Sequence, residues 1–461
     1  MRKECAESLK TIYRRITNFI MLILMTIFFK SAWFSNLNTL MERRFKGSGN
    51  VLTIIFYFVI LFLFMYVWGG FKLGYQKLVN LVMSQFFAII CTNIVLCIQI
   101  ILMVGNVYDS KKIVWQLLIL TAIDIGICVI LSLLFINIYV RLFPPYRVLQ
   151  INGDYENHLR TKMSNRDDKY QICEEISIHD DELEIINKIK MYDAVLLNDI
   201  PTHKKNKILK YCFENSIRVY FTPKISDILV KSTEEINLFD TPLFLCRNVG
   251  LSFEQKVIKR LMDIVISMLG IIIASPLILI TAIAIKLNDG GPVLFKQKRC
   301  TQNGREFWIY KFRSMIVDAE KDGKSRPAID DDERITTIGR FIRKTRIDEL
   351  PQLFNILIGD MSFVGPRPER IEHVEKYCAD IPEFAYRMKV KGGLTGYAQV
   401  YGRYNTTAYD KLKMDLIYIS NYSLLLDLQI ILETIKVIFR KESTEGFSTE
   451  QVKKIRSTKE E

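Results

Sequence analysis

Apolar residues run in long stretches through the first 140 positions, whereas beyond residue 146 apolar and polar positions alternate on a much shorter scale. Four stretches dominate: Phe19–Phe34, Val51–Trp68, Phe86–Val104 and Trp115–Val140. Each approaches or exceeds the ~20 residues that carry a helix across a bilayer. Lys30 interrupts the first near its end, where a long stem lets the ammonium reach the interface. A cleaved leader is the competing reading of that stretch, but Ser31-Ala32-Trp33-Phe34 offers no small-residue cleavage site. The pattern predicts a four-helix membrane domain over residues 16–140. Asp124, inside the fourth stretch, is expected to face the bundle interior.

Lys and Arg concentrate on the flanks that stay in the cytoplasm. Arg2, Lys3, Lys10, Arg14 and Arg15 precede the first stretch, Lys72 and Lys77 follow the second, and Arg141 and Arg147 follow the fourth. The opposite loops carry Arg43, Arg44, Lys46, Lys111 and Lys112. The contrast places the amino terminus and everything after residue 141 in the cytoplasm.

After Pro144-Pro145 the period shortens. Arg147–Asn152, Asp193–Asn198 and Ile217–Phe221 read as strands, and Asp180–Lys190 and His203–Asn215 as helices. That alternation predicts a small parallel α/β unit over 146–245. A single glycine in Gln150-Ile151-Asn152-Gly153-Asp154 favours a structural or regulatory module over a dinucleotide site.

A fifth apolar run, Ile264–Leu287, has the length to cross, but Ser275-Pro276 interrupts it and proline bends or breaks a helix. Lys256, Lys259 and Arg260 precede it, and Lys286, Lys296, Lys298 and Arg299 follow. Basic residues on both flanks predict a helix over 262–287 that enters one leaflet, turns at Ser275 and Pro276, and returns.

The chain has 461 residues, 49% of them hydrophobic, and 63 Lys+Arg against 50 Asp+Glu, a net charge of +13. A basic, apolar chain points to a phosphate-rich partner: anionic lipid, nucleotide or nucleic acid. The nine Cys form no Cys-x-x-Cys and the His are only four, which disfavours a disulfide framework, a zinc site or a His-based metal centre.

Candidate chemistry gathers in residues 290–410. Gly290-Gly291-Pro292-Val293-Leu294-Phe295 with Lys296-Gln297-Lys298-Arg299 reads as a turn, a short strand and a basic stretch. Phe307–Met315 alternates like a strand with Lys311 and Arg313 on one face. Arg340–Leu353, containing Arg343, reads as an amphipathic helix ending in Asp348-Glu349. Val364–Glu369 is a rigid loop carrying Arg367, and Gly392–Arg403 a glycine-rich loop ending in Arg403. Arginine forks bind phosphate oxygens, and glycine turns let backbone N–H groups approach them. A carboxylate without a His or Ser partner can attack phosphorus, while its neighbour holds Mg²⁺ together with substrate phosphate oxygens. Two alternatives remain: a solvated helix face at Asp348-Glu349, and a rival metal site in Asp330–Glu333.

The succession Lys311-Phe312-Arg313-Ser314-Met315, Asp348-Glu349-Leu350-Pro351-Gln352, Gly365-Pro366-Arg367-Pro368 and Leu394-Thr395-Gly396 through Gly402-Arg403 resembles the bacterial sugar transferases, the monotopic polyprenyl-phosphate hexose-1-phosphate transferases. The resemblance covers residues 254–445 and implies a membrane protein in three parts: an α-helical amino-terminal bundle, an α/β Rossmann-like domain and a monotopic α/β catalytic domain with a re-entrant helix. A charged tail, 446–461, follows.

The resemblance also implies a chemistry. Asp348 would attack a UDP-sugar, releasing UMP, and undecaprenyl phosphate would then take the phosphosugar, the first membrane step of capsule, exopolysaccharide or O-antigen synthesis. Glu349 would bind Mg²⁺. Lys311, Arg313, Arg367 and Arg403 would hold phosphates, with Arg340, Arg343 and Asp427 as further site positions. The implied partners are the UDP-sugar, undecaprenyl phosphate and membrane lipids of the bacterial inner membrane, with no nucleic acid; a homodimer is left open. Gly392 departs from the Pro of many members. Two other classes stand beside this one: an Asp-x-Asp glycosyltransferase using Asp330 and Asp332, and an inactive scaffold of polysaccharide assembly.

Overall fold

The computed structural model describes residues 2–41, 44–104, 110–155, 159–164, 166–246, 250–317, 319, 332–402 and 406–438. Arg43, Asp330, Arg403 and the tail 446–461 lie outside the described residues. The chain forms two compact units, Met1–Thr222 and Pro223–Glu461.

The first unit opens with helices α1 (Arg2–Ser35), α2 (Ser48–Trp68), α3 (Leu78–Val104) and α4 (Ser110–Leu142), all long and apolar enough to cross a membrane. Only about a third of each apolar window is buried inside the protein, so the remaining apolar surface is matched to lipid. Asp124 does face inward: it is fully buried and accepts a hydrogen bond from Tyr57 Oη at 3.1 Å.

The rest of this unit is β1 (Tyr146–Asn152), α5 (Leu159–Ser164), β2 (Tyr170–Ser177), α6 (Glu182–Ile189), β3 (Ala194–Asn198), α7 (Thr202–Glu214) and β4 (Arg218–Phe221). The strands pair in parallel in the order β2-β1-β3-β4. Leu149, Ile151, Val195 and Leu197 point to one face, where Ile185, Ile189, Ile208 and Cys212 of α6 and α7 cover them. β2 reads Tyr-Gln-Ile-Cys-Glu-Glu-Ile-Ser, half-exposed and without a continuous apolar run, so the sequence pattern does not announce it.

The second unit begins earlier than the composition suggested. α8 (Ile225–Lys231) buries Ile228 against Phe384, Leu412 and Leu416, and so belongs with the carboxyl-terminal domain. A hairpin, β5 (Glu234–Leu238) with β6 (Thr241–Leu245), follows. Then α9 (Phe253–Asp289) follows, 37 residues of helix with Pro276 inside it. Proline lacks the N–H that would reach the carbonyl of Ile272; Ser275 Oγ donates to that carbonyl at 2.8 Å and fills the vacancy.

The domain packs against α9 near both of its ends. Near its start, Lys259 pairs with Asp427, Arg260 donates to the Ile356 and Leu357 carbonyls, and Asp263 accepts from Ser362 and Phe363. Near its end, Ile285 packs with Phe312 and Ile342. The opposite side leaves Ile272, Ile273, Leu279, Ile280 and Leu287 exposed. Lys259 and Arg260, counted above as membrane-flanking charges, are thus spent inside the protein.

The remaining elements are β7 (Leu294–Cys300) antiparallel to β8 (Glu306–Phe312), α10 (Thr337–Lys344), α11 (Gln352–Ile358), β9 (Ser362–Val364), α12 (Ile371–Asp380), β10 (Gly393–Thr395) parallel to β9, α13 (Tyr397–Tyr401), α14 (Ala408–Ser420) and α15 (Leu424–Ile438).

Candidate active site

The expected single helix over Arg340–Leu353 is two pieces. α10 ends at Lys344, Arg346 takes the left-handed conformation (φ 59°), Ile347–Glu349 form a 3₁₀ turn, and α11 starts after Pro351. Pro351 suits the start of a helix but not its interior, where it would strip a hydrogen bond. A non-glycine residue at positive φ is unusual and costs conformational energy. Its effect is to turn Asp348 and Glu349 inward, off the solvated face that a continuous helix would have given them.

Two further segments converge on that turn. Lys311 of β8 places Nζ 2.8 Å from Glu349 Oε1, and Arg367, from the loop after β9, places a guanidinium nitrogen 2.7 Å from the same oxygen. Arg346 stands 3.9 Å away. Asn355, fully buried in α11, locks the turn to β8: its Nδ2 donates to the Trp308 carbonyl at 2.7 Å and its Oδ1 accepts from the Tyr310 N–H at 3.0 Å. Neither Asn355 nor Arg346 carries a sequence signal of its own; both were missed.

The cations split the behaviour of the two carboxyls. Burial raises the Glu349 pKa, but Lys311, Arg367 and Arg346 together outweigh it and hold the group well below the usual carboxylate range. Asp348 goes the other way. Burial, then repulsion from Glu349, pushes it up to about 6 against the pull of Lys311, Arg346 and Arg343. Burial likewise draws Lys311 down, against the attraction of Glu349. A fixed carboxylate beside a second one poised near neutrality is an arrangement that marks chemically active pairs.

Not every expected residue joins them. Arg313 is buried and salt-bridged to Asp289, with its guanidinium packed where a Cβ on Gly291 would sit; β8 ends at Phe312, so Lys311 and Arg313 reach different partners. Arg343 acts on Asp348 through its charge, and Arg340 is exposed on α10. Asp427 is fully buried, 2.6 Å from Lys259 Nζ, and accepts from Tyr418 Oη at 2.8 Å. It ties α15 to α9 and α14. Asp332, of the rival acidic run, is held by Arg334 at 2.6 Å.

The glycines also do something other than expected. The Gly365 N–H donates to the Thr395 carbonyl, that of Gly393 to the Pro366 carbonyl, and that of Gly392 to Thr301 Oγ1. A Cβ on Gly393 would lie 2.1 Å from the Gly365 nitrogen. These residues permit two backbones to touch, and their N–H groups are consumed in doing so.

Among the described residues, no group of three or more His, Cys, Asp or Glu is gathered for a metal. Asp348 and Glu349 nevertheless offer adjacent hard oxygens, and the three cations all sit on one Glu349 oxygen, Oε1. That donor set suits Mg²⁺, which takes one or two carboxylates plus substrate phosphates.

The carboxylate–cation centre lies on the turn between α10 and α11, in an α/β domain packed against the long apolar helix α9. The family model for bacterial sugar transferases matches residues 254–441. The chain belongs to that family. It is 42% identical over 253 residues to the UDP-N-acetylgalactosamine-undecaprenyl-phosphate N-acetylgalactosaminephosphotransferase of Aeromonas hydrophila, covering 54% of this chain and 59% of that one. A UDP-glucose:undecaprenyl-phosphate glucose-1-phosphate transferase from Klebsiella pneumoniae is 44% identical over 304 residues, covering 63% and 62%. One of the same name from Caulobacter vibrioides is 44% identical over 183 residues, covering 38% and 68%. The matched region thus spans about six-tenths of the first two relatives' length.

Proposed function

We propose that this protein transfers a sugar 1-phosphate from a UDP-sugar to undecaprenyl phosphate at the inner membrane, with its catalytic domain facing the cytoplasm. The observation that carries the reading is the split carboxylate pair at Asp348-Glu349, ringed by Lys311, Arg367 and Arg346 inside the family-matched domain. The names of the relatives, from three different bacteria, support the substrate classes.

Asp348, ionised above pH ~6, attacks the β-phosphorus of the donor. A phosphorus–oxygen bond forms; the bond from the β-phosphorus to the bridging oxygen breaks, and UMP leaves with that electron pair. An oxygen of undecaprenyl phosphate then attacks the same phosphorus, and the Asp348 carboxylate departs. Lys311 and Arg367 hold Glu349 ionised and present positive charge to the phosphates. Glu349, with Asp348 beside it, would hold Mg²⁺, which offsets phosphate charge when bound.

Both ends of α9 pack on one domain, at Lys259 and at Ile285. Contacts of both ends with the same body, with a proline between them that removes a backbone hydrogen bond, support a helix bent at Ser275-Pro276 that keeps both flanks on one side of the membrane. For the expected Rossmann-like domain over 146–245, the parallel order β2-β1-β3-β4 supports a doubly wound α/β unit with the flavodoxin-like strand order rather than the dinucleotide-binding one.

Intact-protein mass spectrometry tests the mechanism. Incubation with the right UDP-sugar and no lipid should add one sugar phosphate to the chain and release one UMP per site. Asp348→Asn should do neither, because the amide is a poor nucleophile. An unmodified wild-type chain that turns over once lipid is added would rule out the covalent route.

A further inference from the structure

Arg367 reaches the carboxylate pair from a short loop that carries two prolines, Pro366 and Pro368. Neither has an N–H to donate, so the loop is gripped by its carbonyls. Four in succession are taken, each by a donor from outside the loop. The Gly393 N–H of β10 holds the Pro366 carbonyl at 2.9 Å, and Arg387 holds that of Arg367 at 3.0 Å. Arg299 of β7 holds the Pro368 carbonyl at 3.1 Å, and the Cys300 N–H holds that of Glu369 at 3.1 Å.

The Arg367 carbonyl sits at the root of the side chain that donates to Glu349 Oε1 at 2.7 Å. Its holder, Arg387, belongs to the 3₁₀ segment Pro382–Lys389, and only 4% of its side chain is exposed. The nitrogen that donates to the carbonyl also lies 2.8 Å from Asp415 of α14, itself buried. Another nitrogen stands 3.6 Å from Glu369, and the guanidinium lies 4.9 Å from the centroid of the Phe384 ring. Charge pairing and stacking together fix the direction of a planar fork. An ion pair that only stabilised the fold would need no carbonyl in its geometry. Sharing one nitrogen between Asp415 and the Arg367 carbonyl ties α14 to the Arg367 main chain.

Resting on the transferase reading above, we propose that Arg387, aimed by Asp415, is a positioning residue: it fixes the Arg367 main chain so that the Arg367 guanidinium meets Glu349 and the reacting phosphate together. A displacement of about 1 Å at such a group costs on the order of 10²-fold in rate. The loss falls on kcat, because Arg367 acts where charge moves during phosphoryl transfer.

The test uses the full-length protein with UDP-sugar and undecaprenyl phosphate, each rate divided by the folded fraction from thermal unfolding. Arg387→Lys keeps a charge beside Asp415 but loses the planar fork. Its kcat per folded enzyme should fall at least tenfold, with donor KM within about threefold of wild type. Arg387→Met with Asp415→Leu replaces the buried pair by apolar groups, which preserves folding, and should be as slow. Wild-type kcat per folded enzyme in either variant, or a loss confined to KM or to the folded fraction, overturns the proposal. Adding Arg387→Lys to Arg367→Lys should cost no more than about a further twofold, because both act through one group; losses that multiply overturn it too. A wild-type protein that moves no sugar phosphate from any UDP-sugar strikes the transferase reading itself, and the positioning role with it. Should one Arg387 variant fail to fold, the other decides.

Discussion

The raised pKa of Asp348 gives the first half-reaction a characteristic acid limb. The group is pushed up to about 6 by burial and by Glu349, so the neutral acid is the form favoured at low pH, and the neutral acid does not attack phosphorus. Because only the ionised carboxylate attacks, the rate should fall as pH drops through the raised pKa of Asp348. An unperturbed aspartate would stay largely ionised there. Lys311 lowers the Asp348 pKa, so Lys311→Met should move the limb upward; each unit moved is about 1.4 kcal/mol, or tenfold in rate below the limb. Glu349→Gln removes the repulsive neighbour, and the residual activity should show its limb below the wild-type one. The assay is the burst of UMP from UDP-sugar without lipid, because the lipid phosphate monoester titrates with a pKa of about 6 and would obscure the limb. A burst rate flat from pH 5 to 8, or limbs that move in the same direction in both variants, would refute the assignment of Asp348 as the attacking group.

Other outcomes test other parts of the arrangement. Lys259→Met strands a fully buried Asp427 and should cost about 3–5 kcal/mol in thermal or denaturant unfolding, whereas Lys259→Met with Asp427→Leu should recover most of it; a stable Asp427→Asn protein with no activity would instead place Asp427 on the substrate. Gly393→Ala forces a Cβ to within 2.1 Å of the Gly365 nitrogen and should unfold the domain or prevent its accumulation; a folded variant deficient only in substrate binding would return these glycines to phosphate binding. Excess chelator should abolish UMP release, and full activity in chelator would remove Mg²⁺ from the reaction. Single cysteines at Lys256 and Lys298 should label from the same side of the membrane, and labelling from opposite faces would rule out the re-entrant seat. Lys256 serves better than Lys259, whose side chain is buried in the Asp427 ion pair.

What the sequence determined by itself was whatever depends on local periodicity or on an ordered set of motifs. The four apolar helices, the strands at Arg147, Asp193 and Ile217, and the carboxylate pair with Lys311 and Arg367 were all legible, because burial in lipid or in a sheet core imposes runs that survive in one dimension. The tertiary structure alone decided the rest. A continuous helix was the natural reading of Arg340–Leu353, yet Arg346 turns left-handed at positive φ, and the converging Lys311, Arg367 and Asn355 are what make that strained turn worth holding. Arg313, Asp427, Lys259 and Arg260 looked equivalent to the site residues as charges on a string. Which charge faces substrate and which is neutralised inside depends on partners 24 to 168 positions away, and no local pattern encodes such a distance. The glycines of the two loops were read as cradles for phosphate for the same reason: a sequence shows where the backbone has room, and only the packed loops show that the opposing backbone already occupies it.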